Sequence, residues 1–427
     1  MKITEVISNK RLGKEHAKEE IEFLVNGLMD GTIADYQVAA WLMAVCFRGL
    51  NAQETTYLTE SIIKSGDVMD LSDVGGITID KHSTGGVGDK ITLTLIPLLA
   101  AAGLKVAKLS GRSLGHTGGT IDKLESIPGF QVALPIDKFL NQVKKIGVAI
   151  ASQTLKLAPA DGKIYALRDV TSTVDNMSLI ASSVVSKKIA SGADIIILDV
   201  KYGNGAFLKT KEESEQLSIL MKEVAKRLGK KLICAITSME EPLGHAVGNS
   251  LEVQEAVSFL KGETTANDIK ELTLELAALA MVEAKKADTI EDAEKFLGGI
   301  ISSGAAYKKF EEIVTNQGGN LSKLPQAPEK LEIKAEKSGV IQKCDALCIA
   351  KAAKLLGAGR DRKEDSIDYS VGVTLNKKIG DNVCEGETLA TLHHSNKNLS
   401  EAEKLAKDAF EISDKKIEKL PLIYKII

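Results

Sequence analysis

At 427 residues the chain is well over twice the roughly 100 to 200 residues of one domain, so several lobes with their own cores are expected and a disulfide-stapled miniprotein is excluded. Hydrophobic residues at 44% beside 26% charged residues are ordinary for a globular chain, and 55 Lys+Arg against 58 Asp+Glu give a net charge of −3, without a polybasic footprint for nucleic acid. The five cysteines (Cys46, Cys234, Cys344, Cys348, Cys384) form no C-x-x-C pair, the N-terminal stretch lacks a signal-peptide core, and no window reaches the roughly 18 apolar residues of a membrane span; a cytoplasmic protein without structural zinc is expected. The first 66 residues read as all-helical: Ile21, Leu24, Val25, Leu28 and Met29 recur at helical spacing up to Gly31, and Asn51 with Glu54 forms a capping box before a helix ending at Gly66. From Ile77, β-branched runs (ITID, KVAKLS, VAIAS, ADIIILDV, KLICAITS) alternate with helical segments such as ITLTLIPLLAAAG, the cadence of a largely parallel α/β lobe. Between VAIAS and ADIIILDV, the stretch from Ala160 to Ser191 reads as two helices with no strand, predicted to pack back on the N-terminal helices. Past Gly262 come helices over 267–286, 290–303 and 305–316 and the linker LPQAPEK, then LEIKAEKSGVIQ and SVGVTLNKKIGDNVCEGETLATLHH, with turns at Gly372, Gly380-Asp381 and Gly386. The fold class expected is α/β: a helical lobe (1–66 and 158–192), a mixed, largely parallel α/β lobe (67–157 and 193–328) and a small C-terminal α+β, barrel-sandwich-like unit (329–427).

Two glycine-rich segments carry the chemistry: KHSTGGVGD (81–89) and SGRSLGHTGGTID (110–122), each after a predicted strand. Glycine lets main-chain amides converge on an anion, hydroxyls add donors, a helix N-terminus adds partial positive charge and Lys81 a full one, so phosphate is the natural ligand; plain strand-to-helix turns are the alternative. GxxxxGK[ST] fails, because Gly88 is followed by Asp89, and the dinucleotide pattern fails, because Ile91 stands three positions past Gly88. ATP hydrolysis and NAD chemistry lose support. A small phosphate site beside His82 remains, with His116 as the competing candidate.

A second constellation lies in the two-helix stretch. Arg168 precedes a helix on which Ser183 and Lys187, spaced i, i+4, share one face. Three such donors could clamp the edge of a planar uracil or thymine; a solvated helix face is the alternative.

KHSTGGVGD, SGRSLGHTGGTIDKLESIPGF, LAPADGKIYALRDVTSTVD, LIASSVVSKKIASGADIIILDVKYGNGAF and EPLGHAVGNSLEVQEA closely resemble the pyrimidine-nucleoside and thymidine phosphorylase family, and the similarity runs from the first helix to the C-terminal unit. The resemblance implies a helical lobe and an α/β phosphate-binding lobe enclosing a cleft, a homodimer joined through the helical lobe, and reversible phosphorolysis of uridine, thymidine or deoxyuridine to free base and (2-deoxy)-α-D-ribose 1-phosphate. Phosphate as co-substrate would contact Lys81, Ser83, Thr92, Ser110 and Thr120, with Lys108 and Leu109 lining the same turn; Arg168, Ser183 and Lys187, with Tyr165 nearby, would hold the base, and His82 would donate to its O2. His82, Arg168 and Lys187 are thereby the catalytic candidates. No organic cofactor is implied. Because loops and clamp lie on different lobes, hinge closure is expected to align them, and a cross-link holding the lobes apart should stop turnover.

The resemblance also implies a potassium-like cation at Gly88, Lys90, Leu243, Ala246 and Glu255, but lysine stands at 90 where such relatives usually have threonine. If a side-chain oxygen is the ligand there, the site is lost and the ammonium takes the metal's place; if it is a main-chain carbonyl, the ion is kept. The C-terminal GD-x-V-x-x-G-x-x-L pattern (Gly380 to Leu389) resembles lipoyl or biotinyl carrier domains but lacks their modifiable lysine, so this unit is read as structural.

Three other readings compete. An anthranilate phosphoribosyltransferase-like enzyme lacks the SGRSLGHTGGT segment, AMP phosphorylases carry an extra N-terminal domain, and a non-enzymatic nucleoside-binding protein would be indifferent to His82→Ala. EPLGHAVGN leans toward the broader pyrimidine-nucleoside branch, with restriction to 2′-deoxynucleosides as the alternative.

Overall fold

The structure, a computed structural model, describes residues 1–113, 118–153, 156–263, 266–360, 362 and 364–427. Four helices open the chain: α1 (Ile3–Arg11), α2 (Lys18–Asp30), α3 (Asp35–Arg48) and α4 (Ala52–Lys64). Gly31 stops α2 with a left-handed φ of 81°, and α4 starts in the expected capping box, Asn51 and Glu54 each accepting the other's amide. Their apolar faces close on Trp41, Leu24, Val25 and Val45.

Next come β1 (Thr78–Ser83), α5 (Ile91–Ala101), β2 (Lys105–Ser110), α6 (Thr120–Glu125), α7 (Ile136–Ile146) and β3 (Val148–Ser152). The chain then leaves the sheet as α8 (Pro159–Val170) and α9 (Met177–Ala190), which pack on α2, α3 and α4. It returns as β4 (Ile195–Tyr202), α10 (Lys211–Arg227), β5 (Lys231–Ser238), β6 (Ala246–Val247) and four helices, α11 (Asn249–Leu260), α12 (Asn267–Glu283), α13 (Ile290–Ser302) and α14 (Ala305–Asn316). Strands β3-β2-β1-β4-β5 are parallel and read as near-continuous apolar runs, as strands covered on both faces do.

The C-terminal unit holds β7 (Glu329–Lys334), β8 (Gly339–Cys344), α15 (Ala346–Ala353), β9 (Gly372–Leu375), β10 (Asn382–Val383), β11 (Thr388–His394), α16 (Leu399–Asp408), β12 (Phe410–Ser413) and β13 (Ile423–Ile426). Its small sheets are antiparallel, β10-β8-β12 and β6-β9-β11-β7. The expected fold class is therefore the observed one, with two exchanges that pattern reading missed. β6 leaves the α/β lobe to pair with β9, and β13 returns to cover the β5 edge of the main sheet, antiparallel. No helix among the described residues is long and apolar enough to cross a membrane.

Candidate active site

β1 is where the strand order turns back, with β2 on one side and β4 on the other, and ligands of open α/β sheets bind outside the carboxyl ends of such a pair. The first glycine-rich loop leaves β1 at that point. Gly85 (φ 98°) and Gly88 (φ 68°) take conformations that a side chain disfavours, and a Cβ on Gly86 would lie 2.5 Å from the Met239 methyl and 2.7 Å from the Lys201 stem. The loop ends at Lys90, the N-cap of α5, and puts Thr92 in that helix's first turn.

Alternation along β1 turns Lys81 away from Asp80 and His82. Lys81 Nζ is buried 3.8 Å from Asp89 and 3.7 Å from Asp199, and makes no hydrogen bond among the described residues. Asp199 is already engaged by Lys201 (2.8 Å) and by the Thr237 hydroxyl (2.6 Å). Asp80 accepts from Lys108 (3.1 Å) and Lys188 (2.9 Å), and Lys108 also donates to the Lys81 carbonyl. Lys188 further reaches the Leu109 carbonyl (3.4 Å), so α9 is tied to the floor of the loop. Lys123 joins the two loops: it donates to the carbonyls of Asp89 (2.6 Å) and Gly118 (3.3 Å) and pairs with Glu252 (3.0 Å).

These contacts set five buried lysines (81, 108, 123, 188, 201) against four carboxylates (Asp80, Asp89, Asp199, Glu252), so lysines outnumber carboxylates in this cluster by one. Burial pushes Lys108 down to about 7 despite Asp80. Burial alone would raise Asp80 and Asp89, but the surrounding lysines hold both below the ordinary carboxylate value. Desolvation, reinforced by Lys188, Lys108, Lys187 and Lys81, drives the His82 imidazole well below its ordinary value, so at neutral pH it is an N–H donor rather than a cation.

The second loop begins at Ser110, which is buried, and runs into α6 at Thr120. Gly119 passes where a Cβ would meet the Ser113 amide at 2.2 Å, and Asp122 accepts from that amide at 2.7 Å. His116 lies outside the described residues. The C-terminal unit braces this loop: Arg360 pairs with Asp122 (3.1 Å) and Asn249 donates to the Ala358 carbonyl (2.9 Å).

On the helical side, Lys187 donates to Ser183 Oγ (2.9 Å) and to Asp161 (2.7 Å), so the i, i+4 pair does share a face. Asp161 Oδ1 is buried without a hydrogen-bond partner among the described residues. Arg168 is buried, with its guanidinium 5.8 Å from the centre of the Tyr165 ring. It is held from behind by the carbonyls of Thr173 (3.1 Å), Leu179 (3.3 Å) and Val174, so three of its five N–H groups are engaged. The charges that lower His82 come from both sides, Lys81 and Lys108 of the sheet and Lys187 and Lys188 of α9.

The five positions considered for a cation also converge, and they do not fit an added ion. Lys90 Nζ itself sits against the carbonyls of Leu243 (2.9 Å) and Ala246 (2.9 Å) and Glu255 Oε2 (2.7 Å), while a Cβ on Gly88 would lie 2.5 Å from the Leu243 carbonyl. Burial alone would raise the Glu255 carboxyl, but Lys90 and the amides of His245 and Ala246 hold it below its ordinary value.

Asp80, Asp89, Asp199, Lys201, Lys123, Lys188 and Asp161 were missed by sequence reasoning. The visible signal was charge closing an apolar strand, as in ITIDK and IIILDVK, which a packed sheet retains only for paired or liganding groups.

Comparison with known proteins follows this layout. Residues 4–66 match a family model described as the glycosyl transferase family helical bundle domain, residues 75–307 the a/b domain of that family, and residues 340–413 the pyrimidine nucleoside phosphorylase C-terminal domain. The chain is 48% identical to a pyrimidine-nucleoside phosphorylase of Staphylococcus haemolyticus, covering 100% of both chains, and 49% identical to one of Bacillus subtilis, covering 94% of each. Among solved structures, an anthranilate phosphoribosyltransferase of Thermus thermophilus superposes with a TM-score of 0.60 at 19% identity, over 73% of this chain and 99% of that one, a likeness of fold alone.

Proposed function

This chain belongs to the pyrimidine-nucleoside phosphorylase family, a pentosyltransferase for the phosphorolysis of pyrimidine nucleosides, and from that premise we propose how its residues divide the work and which nucleosides it takes. The observation that carries the reading is Lys81: at the end of β1, where the first glycine-rich loop begins, its buried ammonium makes no hydrogen bond among the described residues and has carboxylates no nearer than 3.7 Å, so it keeps donors for an incoming oxyanion. Phosphate is bound by Lys81, Ser83, Thr92, Ser110 and Thr120, with Lys108 and Leu109 on the supporting strand β2. Arg168, Ser183 and Lys187 hold the pyrimidine, with Tyr165 beside Arg168.

Attack of a phosphate oxygen on C1′ forms the new C–O bond as the C1′–N1 bond breaks and its electron pair leaves with the base. Positive charge grows on the sugar and negative charge on the pyrimidine, so the anion behind C1′ and the cations around the ring both gain strength in the transition state. Neutral His82 donates a hydrogen bond to the base O2 as that charge develops. The energetic gain comes from alignment, which supplies up to about 7 to 11 kcal/mol for well-oriented reactants.

Uridine, deoxyuridine and thymidine are all substrates in this reading, with restriction to 2′-deoxynucleosides as the alternative; kcat/KM for the three decides. Lys81→Met should lower kcat/KM for phosphate by about 10²- to 10³-fold and His82→Ala that for nucleoside by about 10²- to 10⁴-fold. Unchanged kinetics in both variants would sink the assignment. The working form is a homodimer through the helical lobe, because α3 exposes Tyr36, Met43 and Phe47 at helical spacing on one face. Light scattering should give twice the chain mass, and half that for Phe47→Asp. The five cysteines, all free, fit a reducing cytoplasm.

A further inference from the structure

Lys90 is fully buried, and its three donors meet three acceptors: the Leu243 and Ala246 carbonyls at 2.9 Å each and Glu255 Oε2 at 2.7 Å. Two main-chain carbonyls and a carboxylate around a point charge also form an oxygen donor set for a hard monovalent ion, and an ammonium is close to potassium in size. The backbone is shaped around this charge. Gly244 has φ 72°, and a Cβ there would sit 2.7 Å from Lys90 Nζ and 2.8 Å from Glu255 Oε2. Glu255 is aimed by the amides of His245 and Ala246, each 2.8 Å away. From the other side Lys378 donates to the carbonyls of Pro242 (2.6 Å) and Gly244 (3.2 Å) and to Asp268 (2.5 Å). Two lysines thus pin the 242–246 turn, one from the first glycine-rich loop and one from the C-terminal unit, and the turn runs straight into β6.

We propose that the Lys90 ammonium is a built-in cation: it takes the place of a potassium ion between the first glycine-rich loop and the 242–246 turn, holds that loop in register with the C-terminal unit, and makes the enzyme independent of added monovalent metal. Lys90 is a positioning residue and touches no substrate. The inference rests on the functional reading only where activity is the readout.

The test compares potassium, rubidium, sodium and choline chlorides at equal ionic strength, with Tm and kcat/KM for phosphate measured in each. The wild-type protein should give the same Tm and kinetics in all four; saturable stimulation by potassium would overturn the proposal. Lys90→Thr opens the cage: in choline its Tm should fall and its kcat/KM drop about 10- to 100-fold, with both restored by potassium or rubidium. Lys90→Met fills the cage without charge, and its loss should not be restored. A Lys90→Thr protein that potassium leaves unmoved would also overturn the proposal. If that variant does not fold in choline, refolding in potassium chloride asks the same question: recovery there supports the proposal, and failure in both salts defeats it. The Tm and refolding readouts stand even if the nucleoside chemistry is misassigned.

Discussion

A buried polar atom without a hydrogen bond costs on the order of 1–3 kcal/mol, so Lys81 Nζ, which has only ion-pair contacts at 3.7–3.8 Å among the described residues, and the Asp161 Oδ1 oxygen mark places where stability has been given up for chemistry. Lys81 and His82 were legible in the sequence because they flank glycines whose spacing announces an anion loop. Asp199 and Lys201 were not, since strand pairing alone brings Asp199 opposite Ser83. The same packing sets the state of His82: burial and four neighbouring lysines keep its imidazole neutral. Its ring resonances, identified by their loss in His82→Asn, should stay flat in an NMR titration from about pH 6 to 8, where a free histidine changes charge. A midpoint near or above about 6.5 would show an imidazolium instead and restore proton transfer to the base as the mechanism.

Between strand and helix, the β1–α5 connection is held by a close approach as much as by its conformation. Gly88→Ala adds a methyl at φ 68° and 2.5 Å from the Leu243 carbonyl, whereas Gly103→Ala, at φ 86°, meets nothing within 4 Å. Both should lose the roughly 1–2 kcal/mol of a left-handed non-glycine residue, and Gly88→Ala should lose measurably more in urea unfolding and raise the KM for phosphate. Equal losses would mean that the contact with the turn is slack. The helix α9 shows the same division of labour: Asn176 caps it by accepting the Leu179 amide at 3.1 Å, and its adjacent lysines 187 and 188 part ways to the base clamp and to Asp80. Periodicity identified this helix and the shared face of Ser183 and Lys187. That Lys188 turns the other way, into the sheet, follows only from where the helix lands.

Across the molecule, the buried charge beneath the loops makes stability depend on pH. Lys108, depressed to about 7 by burial, releases its proton in the folded state roughly three units before it does in the unfolded chain. Between about pH 7 and 10 the unfolded state therefore binds more protons, and unfolding free energy should rise with pH across that window. Asp80, Asp89 and Glu255 act at the other end: held low when folded, they contribute stability present above about pH 4 that is lost as pH falls further. Urea unfolding of ligand-free protein should show the alkaline slope in wild type and lose it in Lys108→Met; equal slopes would assign it to another group. Helical periods, the β-α cadence and the two glycine-rich loops were written in local sequence, because each depends on residues within one or two turns of each other. The exchange of β6 and β13 between lobes, the pairing of Lys81 with Asp199 and the seat of Lys90 among the carbonyls of residues 243 and 246 were decided only by the tertiary structure. Main-chain carbonyls carry no sequence signature, and a buried charge finds its partners only after the sheet has brought distant segments within a few ångströms.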